Sequence, residues 1–521
     1  MTDRAIGFPL GQLFPGVAMD AAEIDVTGLA YDSRMVRPGD LFFALSGSKA
    51  DGARFAASAV RAGAVAVVTG APLPVGVPTI VVPLPRRTMA EIAHRFYGHP
   101  DRLIDLVGVV GTNGKSTVAA GLQTVWESAG ISAGLVGTVA HRWGKVSIAA
   151  TRTTPEAPDL DRLLAQMQGD GVRRVAMEVS SHALVLDRVW GLNYRGGIFT
   201  NLTRDHLDFH GTFENYRAAK RLFFERLDAS DCFAAINVDD PSWRVFAEAS
   251  AAARLIRYSA NCADADLRLT IVMHDLSGTR GRLIYKHQSW PFESPLWGRF
   301  NHSNLAAIAA GAIGSGVDGA VVARGLSGFH GVPGRAERIN SAAPYSVFVD
   351  YAHTPDALQA VLGAARPLVR GRLLVLFGCG GDRDRGKRPE MAQAVERWAD
   401  RIYLTSDNPR SEDPGAIINE VKAGFTPSTL ESKVWCNPDR ARAIAQAVAD
   451  AQPGDGVFLC GKGHEDTQDV AGVVHPFSDR DVVAGVLTAD APPGGGGSHP
   501  RAAVDPGGDP PPTERSPRSG A

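Results

Sequence analysis

A glycine-rich loop, Gly111-Thr-Asn-Gly-Lys-Ser-Thr117, is the strongest local motif of the sequence. The backbone N–H groups at its glycines can approach phosphate oxygens, the Lys115 ammonium can meet the outer phosphates, and the Ser116 hydroxyl can ligate Mg²⁺. Val109 stands where the strict form of this motif requires glycine, so only the shorter pattern G-x-x-G-K-S remains. The alternative is a chance glycine-rich turn. The loop predicts a nucleoside triphosphate site but does not define the reaction.

Groups that could hold a metal ion follow two other apolar runs. Glu178 stands near the carboxyl end of Val175–Val179, and Mg²⁺ binds few carboxylates together with phosphate oxygens. A solvated or helix-capping glutamate is the alternative at this position. The segment Thr200–Gly211 contains two histidines, two aspartates and an arginine. In it His206 is a candidate metal ligand, whereas we favour a packed or exposed side chain for His210.

Four polar loops follow apolar runs in the last third of the chain. They are Asp350–Pro355, Gly378–Gly386, Asp407–Arg410 and Gly461–Glu465. Ligands of open α/β sheets gather at the carboxyl ends of the strands, so these loops predict a cleft for a charged small molecule. The alternative is that these are ordinary loops that only connect strands to helices. The convergence of four such loops argues against it.

Short apolar runs, each ending in glycine or a polar cluster, must position these groups. The clearest runs are Leu106–Val110, Val175–Val179, Gly197–Thr200, Leu373–Phe377, Ile402–Thr405 and Val457–Cys460. Amphipathic stretches follow them. Continuous apolar strands that alternate with helices indicate buried parallel sheets covered by helices on both faces. The sequence therefore predicts an α/β fold.

The length of 521 residues suggests three or four domains at roughly 150 residues each. A Gly/Pro-rich connector, Gly328–Arg335, precedes a new predicted strand, and we place domains at 1–100, 101–335 and 336–490. The remaining segment, 491–521, holds 15 glycines and prolines in 31 residues and contains no Leu, Ile, Phe, Tyr or Trp. Such a segment buries too little apolar surface to offset its ordering entropy, so we predict a disordered tail.

Composition and charge exclude several classes of protein. Hydrophobic residues make up 44% and charged residues 21%, which is typical of a soluble globular protein. The net charge of −2 argues against a nucleic-acid partner, and no apolar run is long enough to cross a bilayer. The N-terminus lacks a signal-peptide pattern, and the five scattered cysteines form no C-x-x-C pair. We expect a cytoplasmic protein.

Seven segments, taken together and in order, carry a resemblance to a known family. They are GTNGKST (111–117), EVSSH (178–182), NLTRDHLDFHG (201–211), DYAHTPDAL (350–358), GCGGDRDRGKRP (378–389), DNPR (407–410) and GKGHED (461–466). Through them the chain resembles the Mur ligase family over about residues 25–485. The resemblance implies a central P-loop ATPase domain with a mostly parallel sheet, a Rossmann-like C-terminal α/β domain, and a smaller N-terminal α/β domain that binds a UDP-linked substrate.

The resemblance also implies a reaction, that of an ATP-dependent acid–amino acid ligase in cytoplasmic peptidoglycan precursor synthesis. ATP, with Mg²⁺, would phosphorylate the D-Glu carboxylate of UDP-N-acetylmuramoyl-L-alanyl-D-glutamate. An amine of meso-2,6-diaminopimelate would then attack the acyl phosphate and form an amide. A carboxylate is a poor electrophile until it carries a good leaving group, which explains the phosphorylation. We expect a monomer.

The resemblance assigns catalytic roles to Lys115, His206 and Lys220. It implies that Lys220 is carbamylated, which turns a cation into an anionic oxygen ligand for Mg²⁺. Helical periodicity over Tyr216–Arg226 alone indicates a surface lysine, so this role comes from the resemblance only. The implied metal set is Ser116, Glu178, His206 and Lys220.

Binding positions for the two nucleotides follow in the same way. The ATP set comprises Gly111, Thr112, Asn113, Gly114, Lys115, Ser116, Thr117, Asn301, Asn304, Arg335 and Asp350. The UDP end of the other substrate is assigned to Ser33, Ser48, Lys49 and Ala50, and its dipeptide end to Thr153, Thr154, Ser180 and Arg188. Leu186 stands where some relatives have a glutamine that bonds the substrate. Leucine cannot make this hydrogen bond, so the resemblance does not imply it here.

The last implied site is an amino-acid pocket. In the family, DNPR marks diaminopimelate users, and lysine users lack the arginine. Diaminopimelate carries a second carboxylate that lysine lacks, and a guanidinium can clamp that group with two hydrogen bonds. Arg410 is the candidate clamp, and the pocket also takes in Arg383, Asp407, Asn408, Pro409, Gly461 and Glu465.

Two alternatives stay open. A ligase of the same architecture could use L-lysine or extend folate with glutamate, although the DNPR and GKGHE segments argue against this. A P-loop NTPase that acts as a switch or motor would hydrolyse ATP without any amino acid. The four polar loops of the third predicted domain argue against that reading.

Overall fold

The computed structural model describes residues 7–47, 51–227, 230–339 and 342–489. Three positions assigned to the UDP end, Ser48, Lys49 and Ala50, lie outside these ranges, as does the predicted tail 491–521. Within the described ranges, no helix is long and apolar enough to span a membrane. The three largest sheets follow one another along the chain.

The first hundred residues fold around a small parallel sheet. Their strands are β1 (Phe8–Pro9), β2 (Asp25–Val26), β3 (Gly28–Ala30), β4 (Asp40–Phe43), β5 (Ala66–Thr69) and β6 (Thr79–Val81). Their helices are α1 (Leu10–Leu13), α2 (Met19–Ala22), α3 (Ala56–Arg61) and α4 (Pro85–Phe96), with 3₁₀ turns at Gly52–Phe55 and Pro100–Arg102. Strands β3 to β6 pair in parallel in chain order. Buried Leu41, Phe43 and Val68 pack with Met89 and Ile92 of α4, which covers one face.

The middle of the chain forms the largest sheet. Its strands are β7 (Asp105–Val110), β8 (Ala133–Val136), β9 (Ala140–Trp143), β10 (Val146–Ala149), β11 (Arg174–Glu178), β12 (Tyr194–Phe199), β13 (Phe233–Asn237), β14 (Arg254–Ser259), β15 (Leu267–Asp275), β16 (Gly278–Tyr285) and β17 (Gln288–Ser294). The helices are α5 (Lys115–Ser128), α6 (Ala157–Gly169), α7 (Ser181–Val185), α8 (Leu207–His210), α9 (Phe213–Glu225), α10 (Trp243–Ala249), α11 (Arg299–Gly314) and α12 (Gly319–Ser327). The order is β10-β9-β8-β11-β7-β12-β13-β14-β15-β16-β17, parallel from β8 to β15 and antiparallel at both ends.

Strand β7 shows why this sheet is buried on both faces. Alternate side chains of a strand point to opposite faces. Val107 and Val109 pack with Leu122 of α5 and the apolar side of α11, whereas Leu106 and Val110 pack in a second core with α6 and α9. The continuous apolar run of β7 is thus explained by helices on both sides.

The last part of the chain forms another largely parallel sheet. Its strands are β18 (Glu337–Ile339), β19 (Ser346–Asp350), β20 (Leu373–Phe377), β21 (Arg401–Leu404), β22 (Val434–Cys436) and β23 (Gly456–Cys460), followed by a hairpin of β24 (Thr467–Val470) and β25 (Val473–Pro476). The helices are α13 (Pro355–Ala365), α14 (Lys387–Glu396), α15 (Pro414–Lys422), α16 (Pro427–Ser432), α17 (Arg440–Ala449) and α18 (Asp479–Ala489). The strand order of the six-stranded sheet is β18-β19-β23-β20-β21-β22. Among the described strands of this sheet, only β18 runs antiparallel to its neighbour.

The predicted fold class is confirmed, since the large sheets are mostly parallel and alternate with helices. The six apolar runs named from the sequence correspond to β7, β11, β12, β20, β21 and β23. The domain limits at 100 and 335 stay predictions. The sequence did not predict the antiparallel extension β15–β17, whose strands alternate buried and exposed residues instead of forming continuous apolar runs.

Candidate active site

One edge of the central sheet collects polar groups from four distant parts of the chain. Strands β8, β11, β7 and β12 run parallel, so their carboxyl ends meet at this edge. The loop Gly111–Thr117 follows β7, and Thr138 follows β8. Glu178 ends β11, and Thr200 follows β12. This edge is the place where an α/β sheet binds its ligands.

The phosphate loop needs glycine where it turns into α5. Gly114 has a φ of +84° and caps the helix N-terminus, and a Cβ at this position would overlap Asn304 Oδ1. Asn304 donates from Nδ2 to Asn301 Oδ1 at 3.0 Å, and Asn301 donates from Nδ2 to the Trp297 carbonyl at 2.8 Å. The two asparagines therefore line the loop, and the exposed N–H groups of the helix start suit a phosphate.

The Glu178 carboxylate connects the phosphate loop to its neighbours. The side chain is 1% exposed, and its Oε2 accepts from the Ser116 hydroxyl at 2.9 Å and the Thr138 hydroxyl at 3.0 Å. Thr138 also donates its backbone N–H to Oε1 at 2.7 Å, and its hydroxyl oxygen can accept from the Thr153 hydroxyl, which lies 3.2 Å away. Thr154 donates to the Glu178 carbonyl at 2.8 Å. A carboxylate with hydroxyls beside a phosphate loop is a donor set that fits Mg²⁺.

Two lysine side chains converge on one backbone carbonyl. Lys115 and Lys220 both donate from Nζ to the Gly111 carbonyl, at 3.0 and 2.7 Å, and Lys115 also donates to the Thr112 carbonyl at 2.9 Å. Lys220 is 1% exposed and lies 4.5 Å from the ring centroid of Tyr216, so the surface position indicated by periodicity is wrong. Burial, and then the nearby Lys115, hold the pKa of Lys220 well below its ordinary value. Burial also lowers the pKa of Lys115.

The histidines of this edge differ in burial. His206 has a φ of +51°, is about half exposed, and lies 3.5 Å from Asp205. Its ring centroid is 5.0 Å from that of His182, whose pKa is lowered to about 4 by burial and by the neighbouring histidines. His210 is buried and shares a hydrogen bond of 2.9 Å with the Ser181 hydroxyl. His210 is therefore packed, while His206 faces solvent at the edge.

The residues assigned to the dipeptide form a connected group. Thr154 accepts from the backbone N–H of Ser180 at 3.1 Å, and its carbonyl accepts from Arg188 at 3.1 Å. Arg188 Nε lies 3.0 Å from Glu156 Oε1. Arg152 donates to the same oxygen at 2.8 Å. The buried Glu156 carboxylate thus anchors Arg188 beside Thr154.

Ser33 lies apart from this group, in a turn whose flanking Asp32 and Arg34 pair with each other at 2.6 Å. A cavity of about 370 Å³ is lined mainly by the first part of the chain, with Asp187 contributed by the loop after α7. Arg86 and Asp187 are among the residues that line it.

The connector before β19 joins the central and C-terminal parts. Asp350 accepts from the backbone N–H of Ala336 at 2.6 Å and of Ala352 at 2.7 Å, and burial raises its pKa. The Arg335 guanidinium lies 4.7 Å from the ring centroid of Tyr351. Among the described residues, Arg335 Nε has no hydrogen-bond partner although it is buried. These contacts place Arg335 and Asp350 together at the junction.

In the C-terminal part, Arg410 is held through both its backbone and its guanidinium. Arg410 has a φ of +51°, and its backbone N–H donates to the Asp469 carbonyl at 3.0 Å. Its guanidinium donates to the Gly381 carbonyl at 2.7 Å. A Cβ on Gly380 would lie 3.0 Å from Arg410 Nη1 and 3.8 Å from Arg383 Cγ, so the two arginines flank this glycine. An arginine in a left-handed conformation is costly unless its surroundings fix it.

The remaining pocket residues are buried beside these arginines. Asp407 and Asn408 are 8% and 9% exposed, and Asn408 donates from Nδ2 to Glu465 Oε2 at 2.8 Å. Asp407 Oδ2 has no hydrogen-bond partner among the described residues. Gly461 has a φ of +117°, and a Cβ there would lie 2.7 Å from that oxygen. The Pro409 carbonyl packs against Gly381. These contacts bring the residues predicted for the amino-acid pocket together in the C-terminal part.

Comparisons with known proteins identify the family of this chain. The model of the Mur ligase middle domain matches residues 109–312, that of the Mur ligase glutamate ligase domain matches 334–463, and that of the Mur ligase family catalytic domain matches 25–97. A relative from Solibacter usitatus is 44% identical over 474 residues, which cover 90% of this chain and 95% of the relative. The chain belongs to the Mur ligase family.

Two sequence relatives of this Mur ligase and one solved structure carry the same name. The Solibacter usitatus protein is called UDP-N-acetylmuramoyl-L-alanyl-D-glutamate–2,6-diaminopimelate ligase, and so is a Streptomyces coelicolor protein that is 44% identical over 92% of this chain and 96% of its own. A solved structure with the same name has a TM-score of 0.69 and 33% identity, and it covers 93% of this chain and 99% of its own. The family predicted from the sequence is confirmed.

Three polar residues of this Mur ligase were missed by the sequence reasoning. Thr138 binds Glu178 through both its N–H and its hydroxyl. Glu156 pairs with Arg188, and Lys462 donates to Asn408. Glu156 lies two residues after Thr154, and Lys462 lies inside the segment 461–466. These positions are only a weak signal of a role in the site. For Thr138 the only signal is its position just after the apolar strand β8.

Proposed function

We propose that this chain is an ATP-dependent ligase that joins meso-2,6-diaminopimelate to UDP-N-acetylmuramoyl-L-alanyl-D-glutamate, with ADP and phosphate as the other products. One observation carries the proposal. The buried Glu178 carboxylate binds Ser116 of the phosphate loop on one side and, through Thr138, reaches Thr153 on the other. A phosphate site and a carboxylate-substrate site that share a buried acidic group suit phosphoryl transfer onto that substrate.

The nucleotide side of the proposal uses the loop Gly111–Thr117 for the phosphates and Asn301, Asn304, Arg335 and Asp350 for the adenosine end. Mg²⁺, when bound, supplies positive charge for the transferring phosphoryl group. Ser116, Glu178, His206 and carbamylated Lys220 are its proposed ligands. Lys115 stabilises the negative charge that develops on the phosphates.

Carbamylation of Lys220 is supported by its position. The amine is buried and directed at the Gly111 carbonyl, at the edge where the phosphates of ATP are proposed to bind. Attack of the neutral amine on CO₂ forms a C–N bond and releases a proton, which leaves a carbamate. The carbamate places an anion beside Lys115, and this charge suits a site that holds Mg²⁺.

The reaction then needs two substrates to meet. Thr153, Thr154, Ser180 and Arg188 hold the dipeptide end, with its D-Glu carboxylate near the phosphate loop. That carboxylate takes the γ-phosphoryl group, and the amine of diaminopimelate attacks the acyl phosphate with loss of phosphate and a proton. Holding the amine and the acyl phosphate in one cleft raises their effective concentration.

Selection of the amino acid is assigned to the C-terminal cleft. Arg410, with Arg383 beside it, clamps the second carboxylate of diaminopimelate. Asp407, Asn408, Pro409, Gly461 and Glu465 complete the pocket. Lysine would leave the Arg410 guanidinium without its carboxylate partner, which costs binding energy in a desolvated site. We further propose a cytoplasmic monomer whose partners are its two substrates, without nucleic acid.

Phosphate release from ATP tests the proposal. We expect release only when the UDP-linked dipeptide and meso-2,6-diaminopimelate are both present, with Mg²⁺. Release that needs the dipeptide and responds to L-lysine but not to diaminopimelate would refute the selectivity. Release that is independent of both compounds would favour an NTPase of another role.

A further inference from the structure

Lys462 carries an ammonium that is completely buried in the C-terminal part of the chain. The side chain is 0% exposed and follows β23. Its Nζ donates to Asn408 Oδ1 at 3.1 Å and to Glu465 Oε2 at 3.0 Å, and it lies 6.0 Å from the ring centroid of Phe477. A buried charge is tolerated only with such partners. Among the described residues, Asn408 and Glu465 are the two side chains that accept hydrogen bonds from this ammonium.

The same contact fixes the orientation of the Asn408 amide. Its Oδ1 accepts from Lys462 and from the backbone N–H of Asp469, both at 3.1 Å. Two donors on one side define that atom as the oxygen and turn Nδ2 the other way. Nδ2 donates one N–H to Glu465 Oε2 at 2.8 Å, and its second N–H, which has no partner among the described contacts, can bind a ligand.

Lys462 also orients the Glu465 carboxylate. The ammonium and the Asn408 amide both bind Oε2, so Oε1 is the oxygen that remains for a ligand. The Glu465 side chain is 30% exposed, whereas Lys462 is not exposed at all. The Glu465 carboxylate is therefore partly open to solvent, while the ammonium that binds it is completely buried. An ordered Glu465 Oε1 suits an ammonium, and an ordered amide N–H suits a carboxylate.

We propose that Lys462 is a positioning residue for amino-acid selectivity, acting through Asn408 and Glu465 on the distal ammonium and carboxylate of the amino acid. This inference rests on the proposed function, because Asn408 and Glu465 are assigned to the diaminopimelate pocket there. Lys462 does not touch the substrate. Its loss affects binding of the amino acid and leaves the ATP and dipeptide sites as they are.

The variant Lys462→Met tests this role, since methionine keeps much of the stem and removes the ammonium. We expect the KM for diaminopimelate to rise about tenfold or more, as one charged hydrogen-bond network is lost. The KM values for ATP and the UDP-linked dipeptide and the kcat should stay within twofold. Lys433→Met is the matched control, because Lys433 lies in the same part of the chain and donates only to the Ala399 carbonyl among the described contacts. It should leave all four constants unchanged.

A double-mutant cycle identifies the route of the effect. If Lys462 acts through Asn408, Lys462→Met should raise the KM for diaminopimelate much less in an Asn408→Ala background than in the wild type. Should the single variant not fold, Glu465→Gln is compared with Lys462→Met/Glu465→Gln, in which no carboxylate is left without its ammonium partner. The double variant should then show the higher KM for diaminopimelate.

The outcomes separate this inference from the proposed function. If the wild type shows no diaminopimelate-dependent turnover, the proposed function fails. If the wild type uses diaminopimelate but Lys462→Met keeps the wild-type KM for it, the inference alone is overturned. Where the single variant does not fold, a double variant that keeps the KM of Glu465→Gln has the same meaning. Equal effects on all three KM values, or a fall in kcat alone, also overturn it, because they indicate a general structural or catalytic role.

Discussion

Replacement of Arg410 by lysine removes the guanidinium fork and keeps the positive charge. In the structure, one nitrogen of this group is held by the Gly381 carbonyl at 2.7 Å, and the backbone is tied to Asp469 at 3.0 Å. The fork is therefore oriented before any ligand arrives. A lysine ammonium would reach a carboxylate with one hydrogen bond where the guanidinium can make two.

The loss of one hydrogen bond to a charged group costs about 1.5–3 kcal/mol. At 1.4 kcal/mol per factor of ten, Arg410→Lys should lower kcat/KM for diaminopimelate by about 10- to 150-fold. L-Lysine lacks the second carboxylate, so its kcat/KM should not fall. The ratio of the two specificity constants should thus move toward lysine.

Phosphate release under saturating ATP and dipeptide gives both constants. Arg397→Lys is a suitable control, because Arg397 is exposed at the end of α14, where its guanidinium lies 5.3 Å from the ring centroid of Trp398. An unchanged ratio of diaminopimelate to lysine use in Arg410→Lys would refute the clamp, whatever the absolute activity.

Four further predictions concern other parts of the chain. Lys220→Ala should lose most activity and regain part of it with added short carboxylic acids, and full activity without them would refute the carbamate. Gly114→Ala should raise the KM for ATP at least about tenfold, because a Cβ at φ +84° overlaps Asn304 and is strained; an unchanged KM would contradict the tight turn. His94 bonds Asp161 at 2.8 Å and the Trp190 carbonyl at 2.7 Å, with Asp101, His99 and Arg95 also nearby. Burial opposes protonation of His94, but Asp161, the Trp190 carbonyl and Asp101 together raise its pKa above the ordinary value. The stability lost in His94→Gln, measured by denaturant titration, should therefore be largest below about pH 6.5 and shrink as pH rises through the raised pKa; a loss that grows with pH would contradict this. Deletion of 491–521 should leave turnover intact, and a large fall in kcat would show a role for this segment.

The sequence predicted the fold class and the parallel strands because buried strands need continuous apolar residues. It also placed the phosphate loop at the end of β7, where the structure has it. Partners that depend on packing were not predictable. Lys220 follows ordinary helix periodicity, yet it is buried. Helix α9 packs against the central sheet, and the Lys220 amine reaches the Gly111 carbonyl.

Other contacts were not predictable for the same reason. Thr138 and Glu178 lie 40 residues apart, and only the parallel pairing of β8 with β11 brings them together. Lys462 lies between two glycines of a recognised segment, but nothing in that segment shows that its ammonium turns inward to Asn408. Such roles follow from the three-dimensional arrangement of loops, which residue types and spacing do not determine.

Competition between two amino acids tests the central claim most directly. The protein is given ATP, Mg²⁺ and UDP-N-acetylmuramoyl-L-alanyl-D-glutamate with equimolar meso-2,6-diaminopimelate and L-lysine, and the UDP-linked product is identified by its mass. We predict a product that contains diaminopimelate almost exclusively. A product that contains mainly lysine, or ATP hydrolysis without any UDP-linked tripeptide, would contradict the account.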